Sequence, residues 1–111
     1  MGKTILINSA YLGSGDDELG AKLMGSFLRK LSVAESRLER IIFYNSGVQL
    51  VAEGSPVLDA LVTLAEQGTE LIACGTCLAH FGLLDKIKVG RKTDMQEIVR
   101  LLTGPDAVVT V

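Results

Sequence analysis

Short apolar runs bounded by polar or turn-forming residues alternate along this chain with segments of helical period. Lys3 to Asn8 (KTILIN), Arg40 to Asn45 (RIIFYN) and Thr69 to Ala73 (TELIA) read as buried strands. Lys86 to Val89 reads as a short fourth strand and Ala107 to Val111 (AVVTV) as the last. Between the first two runs, Gly13 and Gly15 mark a turn and Asp16 and Asp17 open a helix. Leu19, Leu23, Met24, Phe27, Leu28 and Leu31 keep its period. SGVQLVAEGS (46–55) reads as a loop; Ser55 as N-cap and Pro56 at the first helical position then open a helix that runs to Gln67 and stops at Gly68. A short helix is expected from Thr76 or Cys77. Thr93 and Gln96 form a capping box for a last helix carrying Met95, Ile98, Val99 and Leu102, ended by Gly104-Pro105.

Strands that are apolar almost throughout and alternate with helices predict a mostly parallel sheet of about five strands, covered on both faces: an α/β three-layer sandwich. In such sheets ligands gather at the carboxyl ends of the strands. Three polar strand ends are readable here: Asn8-Ser9, Asn45-Ser46-Gly47 and Cys74-Gly75-Thr76.

Composition narrows the classes. At 111 residues the chain fits a single domain, 1–111, and 48% hydrophobic against 22% charged residues is a globular balance. A net charge of -2 with no Trp speaks against a nucleic-acid partner. No run approaches the ~18 apolar residues of a membrane span. The amino-terminal run is broken by Asn8 and Ser9, which makes a poor signal peptide, and Leu6 stands where myristoylation wants Ser or Thr. The expected compartment is the cytoplasm, where thiols stay reduced.

Both cysteines of the chain lie in LIACGTCLAHFG, residues 71–82. A Cys-x-x-C after a strand and before a helix fits a thiol-disulfide oxidoreductase, but a thioredoxin-like chain carries Trp before the motif and a cis-Pro facing it. Here neither Pro56 nor Pro105 is suitably placed. Zinc wants four ligands, and Cys74, Cys77 and the lone His80 fall short, so no metal is expected. Haem attachment needs His directly after Cys77, where Leu78 stands. A nucleophilic thiolate that accepts sulfur as a persulfide fits the strand-to-helix turn, with Gly75 allowing close backbone approach and Thr76 a cap or hydrogen bond. The alternative is that both thiols are small buried hydrophobes. GDDELGAK (15–22) only faintly resembles a phosphate loop: Lys22 comes one residue late, and three carboxylates would repel phosphate. His80, three residues after Cys77, can share its helix face, although a packing or surface role is the ordinary one for such a histidine.

CGTCLAHFGL resembles the stretch around the sulfur-accepting cysteine of the DsrE-like family, where a strand-end cysteine is followed eight residues later by Gly, as Cys74 is by Gly82. INSAYLGSGDDELGAKLMGSFL, IIFYNSGVQLVAEGSPVLDAL and ELIACGTCLAHFGLLDKIKVG together look like the C-terminal domain of YedF-type proteins, the sulfurtransferase-like selenium metabolism proteins. The resemblance implies a flavodoxin-like, DsrE-like single domain without a cofactor, often assembled as homo- or hetero-oligomers. It implies that Cys74 carries the persulfide and that Cys77 is a second, resolving thiol. Asn8, the Gly13–Asp17 turn, Asn45, Ser46 and Gly47 would line the same pocket, beside Gly75 and Thr76. Two departures matter: Phe81 stands where many members have Arg, and the TusA-like sulfur-carrier domain typical of YedF proteins is not in this sequence, which is then either a free-standing version, whose donor would act in trans, or a fragment separated from its donor domain. Leu78, Phe81, Leu83 and Leu84 make a homo-oligomer the expectation, or else belong to the core.

Two functions compete. In a sulfur or selenium relay, an exposed Cys74 thiolate takes up the atom and passes it on, with Cys77 able to release it by closing a disulfide. In a non-catalytic small-ligand or protein-interaction module, the thiols are inert and Asn8, Asn45 and Val48 shape the pocket. Transfer through a mixed persulfide needs an exposed Cys74, so its deep burial would sink the relay reading.

Overall fold

The structure, a computed structural model, describes residues 2–35 and 38–111. Strands β1 (Lys3–Ile7), β2 (Arg40–Phe43), β3 (Glu70–Cys74), β4 (Arg91–Thr93) and β5 (Ala107–Thr110) form one parallel sheet in the order β4-β3-β2-β1-β5. Helix α1 (Asp17–Val33) links β1 to β2; a 3-10 helix (Asn45–Val51) and α2 (Leu58–Glu66) link β2 to β3. Helix α3 (Gly75–His80) follows β3 directly, and α4 (Met95–Leu102) precedes β5. The first crossovers step one way across the sheet and the last steps back past β1. Right-handed connections therefore put α1 and α2 on one face and α4 on the other. The expected three-layer α/β architecture is what the chain adopts.

The core lies on both sides of β1, β2 and β3. Ile7, Ile41, Ile42, Phe43 and Ile72 are fully buried in the sheet, with Met24 and Leu28 of α1, Leu61 and Leu64 of α2 and Ile98 of α4 packed over them. Each such side chain is worth about 1.5–3 kcal/mol of burial. Gln67 Nε2 donates to the Ser32 carbonyl at 2.6 Å and ties the ends of α2 and α1 together.

Several local expectations shift. The fourth strand is Arg91–Thr93, not Lys86–Val89; Ile87 makes only an isolated antiparallel bridge to Ala52. As an edge strand, β4 leaves Arg91 and Lys92 exposed, so it needs no apolar run. Ser55 does not cap α2: its hydroxyl accepts from Val57 N–H in a turn, and the helix starts at Leu58. Asp94, rather than Thr93, caps α4 by accepting from Glu97 N–H at 2.8 Å, while the Thr93 hydroxyl donates to the Glu97 carboxylate. Asp16 caps α1 as expected, through Leu19 N–H. Leu19 and Leu23 point outward, whereas Gly20 lets α1 sit close to Tyr11 of the loop after β1. The loop after β2 is the 3-10 helix, whose Val48, Leu50 and Val51 are buried.

Candidate thiol site at the carboxyl edge of the sheet

The 3-10 helix starts where β2 ends, and its approach to β1 is close. Tyr44 N–H donates to the Ile7 carbonyl at 3.1 Å. A Cβ on Gly47 would stand 2.5 Å from that same carbonyl oxygen, so only glycine fits there. Asn45, at the turn into this segment, has φ 52 and is the one non-glycine left-handed residue among those described. Asn is among the few residues that tolerate this conformation, at a cost of order 1 kcal/mol. Its side-chain Oδ1 accepts from Ser46 N–H at 2.8 Å, which steadies the turn. Ser46 Oγ in turn accepts from Ala10 N–H at 3.0 Å and fixes the loop after β1 to the loop after β2.

This conformation aims the Asn45 backbone N–H at the Cys77 sulfur, 3.1 Å away. Cys77 lies in α3, which packs against the 3-10 helix. Leu78 takes the inward position of α3 and is fully buried, so Cys77, about 100° around the helix, sits half-buried at the boundary. Asn45, Thr76, Cys77, His80 and Phe81 line a cavity of about 320 Å³. His80 meets the Phe81 ring edge-on, with centroids 5.1 Å apart.

Cys74 is placed differently from what a carrier role asks. Strand β3 ends at Cys74, as expected, but Cys74 is still in the ladder, paired with Thr93, and is only 1% exposed. It points to the same face as Ile72 and contacts the Cys77 thiol from behind. The requirement of an exposed thiol is met by Cys77 and not by Cys74. Both are free thiols. Burial pushes the Cys77 thiol above its ordinary pKa; the Asn45 N–H opposes this, and the neighbouring Cys74 thiol adds to it.

The other expected site residues divide. Asn45, Thr76 and Cys77 share the cavity; Gly75 opens α3 beneath it, and Ser46 and Gly47 hold its wall in place. Asn8 is exposed at the end of β1 and, like the Gly13–Asp17 turn, lines neither this cavity nor the larger cleft beside it. Val48 is fully buried, away from any ligand. Phe81 was legible only as an apolar residue of the helix end, whereas it forms a cavity wall. His80 carried a readable signal, its spacing from Cys77. Among the described residues, no three His, Cys, Asp or Glu side chains stand together as metal ligands, and no helix is long and apolar enough to cross a membrane.

Fold and site define a small α/β protein with a thiol pair at the carboxyl edge of its sheet. Solved structures share that fold across their whole length. The protein of unknown function MTH1491 from Methanobacterium thermoautotrophicum aligns over 98% of this chain and 97% of its own, at 23% identity and a TM-score of 0.71. The ychN protein from E. coli aligns over 100% of both chains at 20% identity and a TM-score of 0.67. The conserved protein of unknown function BT1422 from Bacteroides thetaiotaomicron aligns over 99% of this chain and 95% of its own at 15% identity and a TM-score of 0.71. At these identities the likeness is one of fold. No protein-family model matches the chain, and no curated protein sequence matches it.

Proposed function

We propose that this chain is a cytoplasmic sulfur or selenium relay protein of the DsrE-like, YedF-type kind, in which Cys77 takes up the atom and Cys74 stands behind it as the resolving thiol. The observation that carries this reading is the placement of Cys77. It is the accessible thiol of the pair, in a cavity, with a backbone N–H on its sulfur and a second thiol in contact. The Cys77 thiolate attacks the outer sulfur of a donor persulfide. A new S–S bond forms, the donor's S–S bond breaks, and the donor leaves as a thiol that takes the proton Cys77 lost. An acceptor nucleophile then attacks the outer sulfur of the Cys77 persulfide and displaces the Cys77 thiolate. Alternatively Cys74 attacks the Cys77 sulfur, releasing sulfide and closing a disulfide that a reducing thiol must reopen. A raised pKa leaves less thiolate at neutral pH but makes that thiolate the stronger nucleophile. The resemblance supports a TusA-like protein or domain as donor and a homo-oligomeric assembly.

Intact-mass spectrometry after incubation with polysulfide, or with selenite plus thiol, tests the reading. Wild type and Cys74→Ser gain one sulfur or selenium atom, and Cys77→Ser gains none. A gain that survives Cys77→Ser and vanishes with Cys74→Ser returns the carrier role to Cys74. A second reading is favoured by the burial of Cys74 and the raised pKa of Cys77: an interaction or small-ligand module with inert thiols, which takes up no atom in any variant.

A further inference from the structure

A larger cleft, of about 480 Å³, opens on the other side of Phe81 from the thiol cavity. Its walls come from Tyr11 after β1, Met24 of α1, Leu50 of the 3-10 helix, Val57 before α2, and Phe81 and Leu83 after α3. That volume lies within the range of about 300–1,000 Å³ typical of small-molecule sites, which are largely apolar with a few polar groups. The polar groups here are those of Tyr11, Gln49, Ser55 and Glu53, and Glu53 is the one charged residue of the lining.

Three features join this cleft to the thiols. Phe81 lines both cavities and is 37% exposed, so the two share a wall. The 3-10 helix has Asn45 in the thiol cavity and Gln49 and Leu50 in the cleft. Ala10, which lines the cleft, is bonded to Ser46 beside Asn45. A molecule seated in the cleft thus shares the Phe81 wall with the cavity that holds Cys77.

We propose that the cleft binds the apolar, non-anionic body of a low-molecular-weight sulfur compound and presents its sulfur past Phe81 to Cys77. This rests on the relay reading for what happens at the sulfur, and adds to it the class of molecule that delivers or collects the atom. The apolar wall favours an aromatic or aliphatic body, and with Glu53 paired to Lys86 at 3.8 Å the described residues of the lining offer no free cation to hold an anion. A small carrier molecule, rather than only a protein, then exchanges sulfur with this site.

Methanethiosulfonates supply the test, because the body can be varied at constant chemistry: the Cys77 thiolate attacks the sulfenyl sulfur, forming a mixed disulfide and releasing methanesulfinate. Rates of Cys77 modification by the benzyl and methyl reagents are measured on the intact chain and, as a reference, on glutathione. The benzyl-to-methyl ratio is expected to exceed that of glutathione by about tenfold, the effect of burying one ring. Ala21→Trp, which fills the cleft from an exposed helix position, is expected to return the ratio to the glutathione value. Each variant supplies its own methyl rate, so a general loss of folding or reactivity cancels. A wild-type ratio equal to that of glutathione, or one that Ala21→Trp leaves unchanged, overturns the proposal. Failure of sulfur loading with the ratio intact overturns the relay reading alone; loss of the ratio with loading intact overturns the cleft alone.

Discussion

The two edges of the sheet are built on opposite plans. At the amino edge, charges from three strands interlock with Asp106, just before β5, and Glu97 of α4. Arg40, at the start of β2, holds Asp106 at 2.5 Å and donates to the Thr4 hydroxyl at 3.1 Å; its Nε is buried without a hydrogen bond and approaches Glu70 only at 3.5 Å. Arg91, at the start of β4, bonds both Glu70 and Glu97 at 2.9 Å. The register explains the network: Thr4, Arg40 and Glu70 are neighbours across the sheet and share a face with Arg91. The carboxyl edge instead has two free thiols, a left-handed Asn45 and a glycine forced against a carbonyl. One edge locks the strands in place, and the other holds strained backbone and unpaired sulfur where a ligand can reach them. Among the described residues, the tightest ion pairs, at 2.5 and 2.9 Å, cluster at the amino edge, whereas the cleft beside the thiols has only the looser Lys86–Glu53 pair at 3.8 Å.

Substitutions should separate these edges. Arg40→Met leaves Asp106 and Glu70 without their shared cation and is expected to destabilise the fold by about 2–4 kcal/mol. Denaturant unfolding reads that loss, and the alkylation rate of Cys77 in the native state should not change. Gly47→Ala forces a methyl onto the Ile7 carbonyl and is expected to cost about 1–3 kcal/mol. Unlike Arg40→Met it should also alter Cys77 alkylation, because the displaced segment carries the Asn45 N–H. Equal effects of both variants on Cys77 would erase the distinction between the edges.

Acid should weaken the amino edge first. Arg91 and the Thr93 hydroxyl hold the Glu97 carboxyl down at about 2, against 4.5 ordinarily, and Gly2 N–H and Arg40 lower Asp106 as well. A carboxyl lowered in the folded state contributes stability that is fully present above its unfolded pKa and is lost as pH falls through the folded one. Stability should therefore decline between about pH 4.5 and 2, and Glu97→Gln should flatten part of that limb in a pH series of melting temperatures. The smallest effect belongs to the thiol edge. Cys74→Ala removes a neighbour that raises the Cys77 pKa, so the pH midpoint of Cys77 alkylation should move down, though burial keeps it above that of a free cysteine.

The strands of the core were legible in the sequence because parallel strands covered on both faces are apolar throughout: ILI of β1, IIF of β2 and ELIA of β3 stand out without any alignment. β4 was not, because a three-residue edge strand exposes its side chains and can read RKT. At the site, Cys-x-x-C at the end of β3 and Asn45 after β2 were visible as chemistry, and the structure brings both together. The order of the thiols was not visible. Cys74 was expected at the strand end, and it is there, but its side chain shares the buried face of Ile72, which strand-end position alone does not tell. The left-handed turn at Asn45 and the role of Phe81 as a shared wall depend on contacts between segments distant in sequence, which local pattern does not encode.

The most direct measurement is time-resolved alkylation of the native protein with iodoacetamide, with peptide mass spectrometry assigning the label to each cysteine. Cys77 should be modified at least about tenfold faster than Cys74, which reacts only through local opening, and its rate should keep rising with pH beyond that of a free thiol. Faster labelling of Cys74, or equal labelling of both, would contradict the assignment of Cys77 as the accepting thiol.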